Sequence, residues 1–415
     1  MRNLFQFLSI LLLVALAACT NEDDGLVVDD EVEEVPVEEV TFDLTSTESR
    51  AAADILAFNQ DFFKAVVASH ADQSNVVCSP LSASVLLSMV ANAADGEVRN
   101  EITKALGCSD LKGLNSLNQK FLLALPNADE FVTFTSANSV WYDQQYTIVP
   151  DFASISKKYY DAPNFGCDFR NGANVVKEIN NWCSEKTNGI IDQMLYSLPA
   201  NVQAVLVNAI YFKGSWAVPF KIEETSEMQF YGSKGYKDIT MMHRTCHQNY
   251  LSSKNFEAVK LQIGDNRFEA FFILPKTDIN EFISTVDFES IASTEFDAKY
   301  ISYFVPKFKH NPASPLMLNA SLERMGITSL TTPCDLSMFT TKLESVHEII
   351  QSTGIEFTEE GAEGASVSMD IPASSNMDPW GRVVDAEVKF DRPFVFMIRE
   401  TTTGALLFAG KISDL

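Results

Sequence analysis

The run Val202-Gln203-Ala204-Val205-Leu206-Val207-Asn208-Ala209-Ile210-Tyr211-Phe212 carries no charged side chain. Alternation of polar and apolar residues marks a strand with one wet face. A near-continuous apolar run of this length fits only a strand covered on both faces. A chain that holds such a strand must supply helices or a second sheet above and below it. The remaining sequence can do so: 46% of its 415 residues are hydrophobic and 30 are phenylalanine. The formal charge of −25 speaks against nucleic acid as a partner, because phosphate binding requires clustered Lys and Arg.

Residues 1–18 read as an export signal, with Arg2 ahead of an apolar segment from Leu8 to Ala17. Leu16-Ala17-Ala18-Cys19 resembles a bacterial lipobox, which implies lipid modification of Cys19 as the mature N-terminus. The apolar run is short for a spanning helix, so the expectation is a membrane anchor rather than a membrane span. Residues 19–44 then form an acidic tether. From Thr20 to Ser49 the chain has twelve Asp and Glu and no Lys or Arg, and like charges at that density extend a segment. Asn21-Glu22-Asp23-Asp24 resembles the acidic export tag of surface lipoproteins in some Gram-negative bacteria. The expected location is the outer membrane, facing the surface or the periplasm.

The body, residues 45–415, alternates helical and strand patterns without an internal repeat, which predicts one α+β domain. Thr45-x-x-Glu48 predicts a capping box ahead of a long amphipathic helix to about Ser69. Further helices are expected over Ser82–Ala93, from Gly96 to near Gly107, over Leu114–Leu125, over Asn174–Lys186 and over Met317–Gly326. Strands are expected at Phe131–Tyr142, Phe256–Ile263, Phe268–Leu274, Tyr300–Phe308 and Glu348–Phe357. The apolar run should turn out of its sheet at Lys213-Gly214-Ser215-Trp216, and Val388–Phe390, Phe394–Arg399 and Ala405–Lys411 should form a smaller terminal sheet. Cys78, Cys108, Cys167, Cys183, Cys246 and Cys334 are scattered without Cys-x-x-Cys or metal spacing, so free thiols are expected and no metal or cofactor is assigned. The five histidines sit in no nucleophile or metal motif, and no enzymatic activity is assigned.

One stretch stands apart. Glu359-Glu360-Gly361-Ala362-Glu363-Gly364-Ala365-Ser366-Val367-Ser368 loses every large apolar side chain yet has no Pro or Asn to set a turn. Its composition fits a flexible linker. Its parity fits a strand instead: Ala362, Gly364, Ser366 and Ser368 would share one face, small enough to slip between two existing strands.

Several segments together resemble the serpin family of protease inhibitors. They are Asn75-Val76-Val77-Cys78-Ser79-Pro80-Leu81-Ser82, Asn180-Asn181-Trp182-Cys183-Ser184-Glu185-Lys186-Thr187-Asn188-Gly189, and Leu206-Val207-Asn208-Ala209-Ile210-Tyr211-Phe212-Lys213-Gly214-Ser215-Trp216, followed by Pro306-Lys307-Phe308 and Asp391-Arg392-Pro393-Phe394. The resemblance implies three β-sheets, about eight to nine helices and an exposed reactive-centre loop over about residues 359–386. It also implies suicide-substrate inhibition of serine-type proteases, with cysteine proteases as a second target class. A protease cleaves the loop, stays acylated to it, and is carried away as the hinge inserts into the main sheet. By this resemblance Glu359, Glu360, Gly361, Ala362, Glu363, Gly364, Ala365 and Ser366 are the hinge. The family often has a hydroxyl residue where Ala362 stands, but alanine is equally small. Ser79, Ser82, Asn208, Gln351 and Trp216 match positions that hold the strands until they part, with Gln351 replacing the usual His.

The scissile bond has two candidates. Counting about fourteen residues on from Gly361 gives Ser375–Asn376, which suits elastase-, subtilisin- or papain-like proteases. Counting back from Phe390 gives Arg382–Val383 and a trypsin-like target. Asp370 and Pro372 lie past the hinge, where a buried carboxylate and a missing N–H oppose full insertion. A monomeric chain is expected, and a non-inhibitory serpin acting as a surface binding protein is the alternative function.

Overall fold

The molecule is described from a computed structural model, which covers residues 43–108, 110–187, 189, 191, 193–198, 202–310, 315–330, 335–340, 349–362 and 383–415. Its elements run α1 (Ser46–Ser69), β1 (Val76–Cys78), α2 (Pro80–Ala93), α3 (Gly96–Ala105), α4 (Leu111–Ala124), β2 (Val132–Asp143), α5 (Pro150–Tyr160), β3 (Asn164–Cys167) and α6 (Gly172–Lys186). There follow β4 (Ala204–Ser215), β5 (Ser226–Gly232), β6 (Gly235–Ser252), β7 (Phe256–Ile263), β8 (Phe268–Pro275), α7 (Ile279–Thr285), α8 (Phe288–Ser293), β9 (Asp297–Pro306), β10 (Phe308–His310), β11 (Leu316–Met317) and α9 (Asn319–Arg324). The chain closes with β12 (Ile350–Gln351), β13 (Ile355–Phe357), β14 (Gly361–Ala362), β15 (Ala386–Lys389), β16 (Phe394–Glu400) and β17 (Leu406–Ile412).

α1 begins as its sequence predicts. The Thr45 hydroxyl accepts from the Glu48 N–H at 3.3 Å, and the Glu48 carboxylate accepts from the Thr45 N–H at 2.8 Å, which closes the capping box. Four hydrogen bonds from Lys120, Ser116 and Thr45 outweigh the burial that would raise the Glu48 carboxyl, so its pKa falls to about 2. At the end of α6, Gly189 takes the left-handed conformation, φ +79°, that only glycine adopts freely.

A six-stranded sheet runs in the order β10-β13-β14-β4-β2-β3. β4 is the apolar run, and it pairs antiparallel with β2 from Val132–Gly214 to Tyr142–Ala204. The remaining strands form a nine-stranded ladder that is two sheets sharing β6, which pairs with β9 through residues 241–250 and with β7 through residues 249–252. Three principal sheets therefore organise the α+β body, with β11–β12 as a small added pair. α2 touches both β4 and β17, and all its residues are buried, so this helix is apolar on every side because the sheets leave it no wet face. The phenylalanines join the layers: Phe357 of the six-stranded sheet packs against Phe272 and Phe396 of the larger ladder with ring centroids 5.3 and 5.2 Å away.

Three expectations need correction. β4 does not turn out at Lys213 but continues to Ser215, because it finds partners on both edges as far as Gly214. Gly214 permits this, since a Cβ there would meet Ile263 Cγ2 at 2.5 Å. The strand expected to reach Phe357 is broken into β12 and β13, with Thr353 between them giving its hydroxyl to the Val77 carbonyl at 2.6 Å. The three terminal strands do not make a small sheet of their own. β15 pairs with β9, while β16 and β17 lie between β8 and the edge strand β1 of the larger ladder. Cys78, Cys108, Cys167, Cys183 and Cys246 are free thiols, as expected, and burial pushes the Cys183 thiol up to about 12. Cys334 lies outside the described residues.

Candidate functional site

The top of the six-stranded sheet gathers the first half of the predicted hinge. The chain leaves β13 through Thr358, turns at Glu359 and Glu360, and returns as β14. Thr358 N–H donates to the Gly361 carbonyl at 2.8 Å, and Phe357 pairs with Ala362. On its other edge β14 pairs with the end of β4, Gly361 opposite Ser215 and Ala362 opposite Gly214. Ala362 is fully buried in the core. Gly361 lies so close to β4 that a Cβ would fall inside the envelope of the Gly214 carbonyl oxygen. Of the small-residue face singled out in the sequence, Ala362 is flanked by two strands, and Gly364, Ser366 and Ser368 lie outside the described residues.

Trp216 caps this junction. Its indole N–H donates to the Thr358 carbonyl at 2.9 Å, its ring stacks on Phe357 with centroids 5.8 Å apart and planes 10° from parallel, and its own N–H donates to the Glu360 carbonyl at 2.8 Å. Phe220 N–H donates to the Glu359 carbonyl at 2.8 Å. The Glu359 carboxylate is buried and ion-pairs with Lys307 at 2.8 Å. Lys307 follows the end of β9 and was quoted only as part of a motif. Its partner could not be read from spacing, because 52 residues separate the two.

Burial alone would raise the Glu359 carboxyl, but the Lys307 ammonium outweighs it and the pKa is lowered. A carboxyl lowered in the folded state contributes stability above its unfolded value near 4.3, and that contribution is lost as pH falls through the folded value. Thermal midpoints of the native chain are therefore expected to decline in the acid range below about pH 4 more steeply than those of Glu359→Gln. Parallel pH profiles for the two proteins would remove Glu359 as the source.

Below this junction, where β12 and β4 approach α2, a polar cluster sits in the core. Gln351 grips the backbone of Ser79 with both amide atoms, Ser79 N–H to Oε1 and Nε2 to the Ser79 carbonyl, each 2.8 Å. Ser79 Oγ caps α2 by accepting from Ser82 N–H at 3.2 Å. The Ser82 hydroxyl donates to Asn208 Oδ1, and Asn208 Nδ2 donates to Asn138 Oδ1 at 2.6 Å and to Ser136 Oγ at 3.3 Å. The first turn of α2 thus meets two elements at once, β12 through Gln351 and β4 through Asn208. Ser79, Ser82, Asn208 and Gln351 come together in one hydrogen-bonded cluster. Asn138 and Thr353 were missed. Asn138 is a buried amide in a strand, opposite Asn208 in register, and its polarity on an inward face was the available signal.

Glu363 to Ser366, both candidate bonds Ser375–Asn376 and Arg382–Val383 except Val383, and Asp370 and Pro372 lie outside the described residues. Val383 is 86% exposed where the chain re-enters the structure ahead of β15.

The model of the family described as "Serpin (serine protease inhibitor)" matches residues 53–415. The chain belongs to the serpin family. Among curated proteins it is 31% identical to a leukocyte elastase inhibitor of Xenopus tropicalis, an alignment that covers 86% of this chain and 97% of that protein. It is 28% identical to a corticosteroid-binding globulin of Sus scrofa, covering 86% and 90%. Among solved structures it superposes on tengpin, a thermophilic serpin in its native state, with a TM-score of 0.78 and 28% identity over 88% of this chain and 94% of tengpin. Serpins are inhibitors rather than catalysts at the family level, and some relatives are instead binding proteins, as the globulin's name says.

Proposed function

We propose that this serpin traps serine-type proteases by cleavage-triggered insertion of residues 359 onward as a new strand of the six-stranded sheet, with papain-like cysteine proteases as a second target class. The observation that supports the reading most is β14. Gly361 and Ala362 already lie between β13 and β4, and among the described residues no ladder joins those two strands directly. Continued insertion extends a strand whose first pairs exist. An inserted strand of about 14 residues spans roughly 45 Å at ~3.3 Å per residue. With about two dozen new hydrogen bonds at ~0.5–1.5 kcal/mol net, the drive is on the order of 10–30 kcal/mol. That is ample to displace an acylated protease in a loop-insertion switch.

The reactive bond in this reading is Ser375–Asn376, with Arg382–Val383 as the trypsin-type alternative. Incubating the mature chain with elastase, subtilisin, trypsin and papain and resolving the products on denaturing gels tests both points. A covalent complex with one of the first two or with papain is the expected result, and the mass of the released C-terminal peptide assigns the bond. Cleavage by all four without a stable complex would favour a binding role like that named for the globulin. In the same proposal, the acidic tether and Cys19 support a lipid anchor at the outer membrane of a Gram-negative cell. Palmitate labelling that disappears in Cys19→Ser is the corresponding check.

A further inference from the structure

We infer that Tyr160, at the end of α5, is a second latch on the main sheet, a positioning residue that restrains strand separation from outside the Ser82–Asn208 contact. The inference rests on the loop-insertion reading above.

A strand that enters between β13 and β4 must widen their separation by about 4.8 Å. β4, β2 and β3 form one continuous ladder and move together. α2 does not belong to that moving half. Its start is tied to β12 by the two Gln351 bonds to Ser79, and it follows β1, which pairs with β17 and whose Val77 carbonyl accepts from Thr353 between β12 and β13. Every link from α2 to the β4–β2–β3 half is therefore stretched when the sheet opens.

Ser82–Asn208 is one such link. Tyr160 makes another, by using its two ends on opposite sides of the boundary. Its backbone carbonyl accepts from Asn138 Nδ2 of β2 at 2.9 Å, and the chain runs directly from it into β3. Its hydroxyl is held by the other half: it donates to Asn115 Oδ1 of α4 at 2.5 Å and accepts from Asn92 Nδ2 of α2 at 3.2 Å. Asn92 and Asn115 pair with each other at 2.9 and 3.0 Å, which fixes the acceptor in place. Tyr160 is fully buried, so its hydroxyl finds no water to replace these partners as the sheet moves. Asn138 meanwhile bonds Asn208, so the Tyr160 link and the Ser82 link load the same pair of strands. Opening the sheet must break or strain both.

The test uses the mature full-length chain, Tyr160→Phe, and Asn115→Ala as a second variant that keeps the ring and removes its acceptor. The readouts are the rate at which uncleaved protein converts on warming to a form that survives concentrated urea, and the thermal midpoints of the native and the loop-cleaved proteins. Conversion is expected to quicken roughly fivefold in each variant, the rate change for a lost restraint of about 1 kcal/mol. The native midpoint should fall while the cleaved, inserted form keeps its own, because the latch acts only on the closed sheet. An unchanged conversion rate, or equal falls in both midpoints, would make the hydroxyl an ordinary core contact and overturn the inference alone. If cleaved wild-type chain never becomes urea-resistant, the inhibitory reading falls, and this inference with it.

Discussion

Ala362→Arg should, on the trapping reading proposed above, turn the chain from inhibitor into substrate: the target protease cleaves the loop and leaves, and covalent complex falls below detection. Ala362 is fully buried between Phe357 and Gly214, in a slot bounded by two backbones and the core beneath them. An arginine there must bury an unpaired guanidinium or pull β14 out of the sheet. Either course costs several kcal/mol, as does any buried charge without a partner. Trapping is a race between insertion and hydrolysis of the acyl-enzyme. A barrier raised by about 4 kcal/mol slows insertion roughly a thousandfold, so hydrolysis wins. The number of inhibitor molecules consumed per protease should rise at least tenfold, read from titration and denaturing gels. Undiminished complex in the variant would mean that the hinge does not enter the sheet at this residue.

The second large effect is expected at Gln351. Its amide bonds both backbone groups of Ser79 in a buried site, so Gln351→Ala strands the Ser79 N–H at ~1–3 kcal/mol, while the Ser79 carbonyl loses one donor and keeps the Ala83 N–H at 3.1 Å. It also unties α2 from the β12 side of the sheet. The native chain should unfold or convert to oligomers at lower temperature, while the cleaved form changes less. Gln351→His, which restores the residue usual in the family, should replace part of the clasp only while the imidazole is neutral and able to accept. Burial lowers an imidazole pKa, so the stability it adds is present above neutral pH and lost as pH falls through the lowered value. Wild-type chain, with an amide that does not titrate, should show no such loss between pH 8 and about pH 5 from this position. A wild-type profile that matches the histidine variant would refute the assignment.

Elements with strong apolar periodicity were legible before any fold was known. α1, α2, α6, β2, β4 and β8 fall within a few residues of their predicted bounds, because each has a core-facing stripe or a fully covered strand to bury. α5 was missed although Pro150 marks its first turn, because only Phe152, Ser156 and Tyr160 are buried and one of those is polar. β5 was missed for the same reason: most of it faces solvent.

The hinge shows where each level of description stops. Small residues at Gly361 and Ala362, the capping box at Thr45, the double-covered β4 and the family signatures are local facts, and the sequence determined them alone, since they depend on side-chain size, charge and spacing within a few positions. What the tertiary structure decided is which strands flank Gly361 and Ala362. β14 exists because β13 and β4, separated by some 140 residues, end side by side and offer unpaired edges at the same height. Likewise Glu359 meets Lys307, Gln351 meets Ser79 and Tyr160 meets Asn115 only after the sheets have stacked. Hydrogen bonds and ion pairs between distant segments carry no periodicity, so composition and spacing could name the residues but not join them.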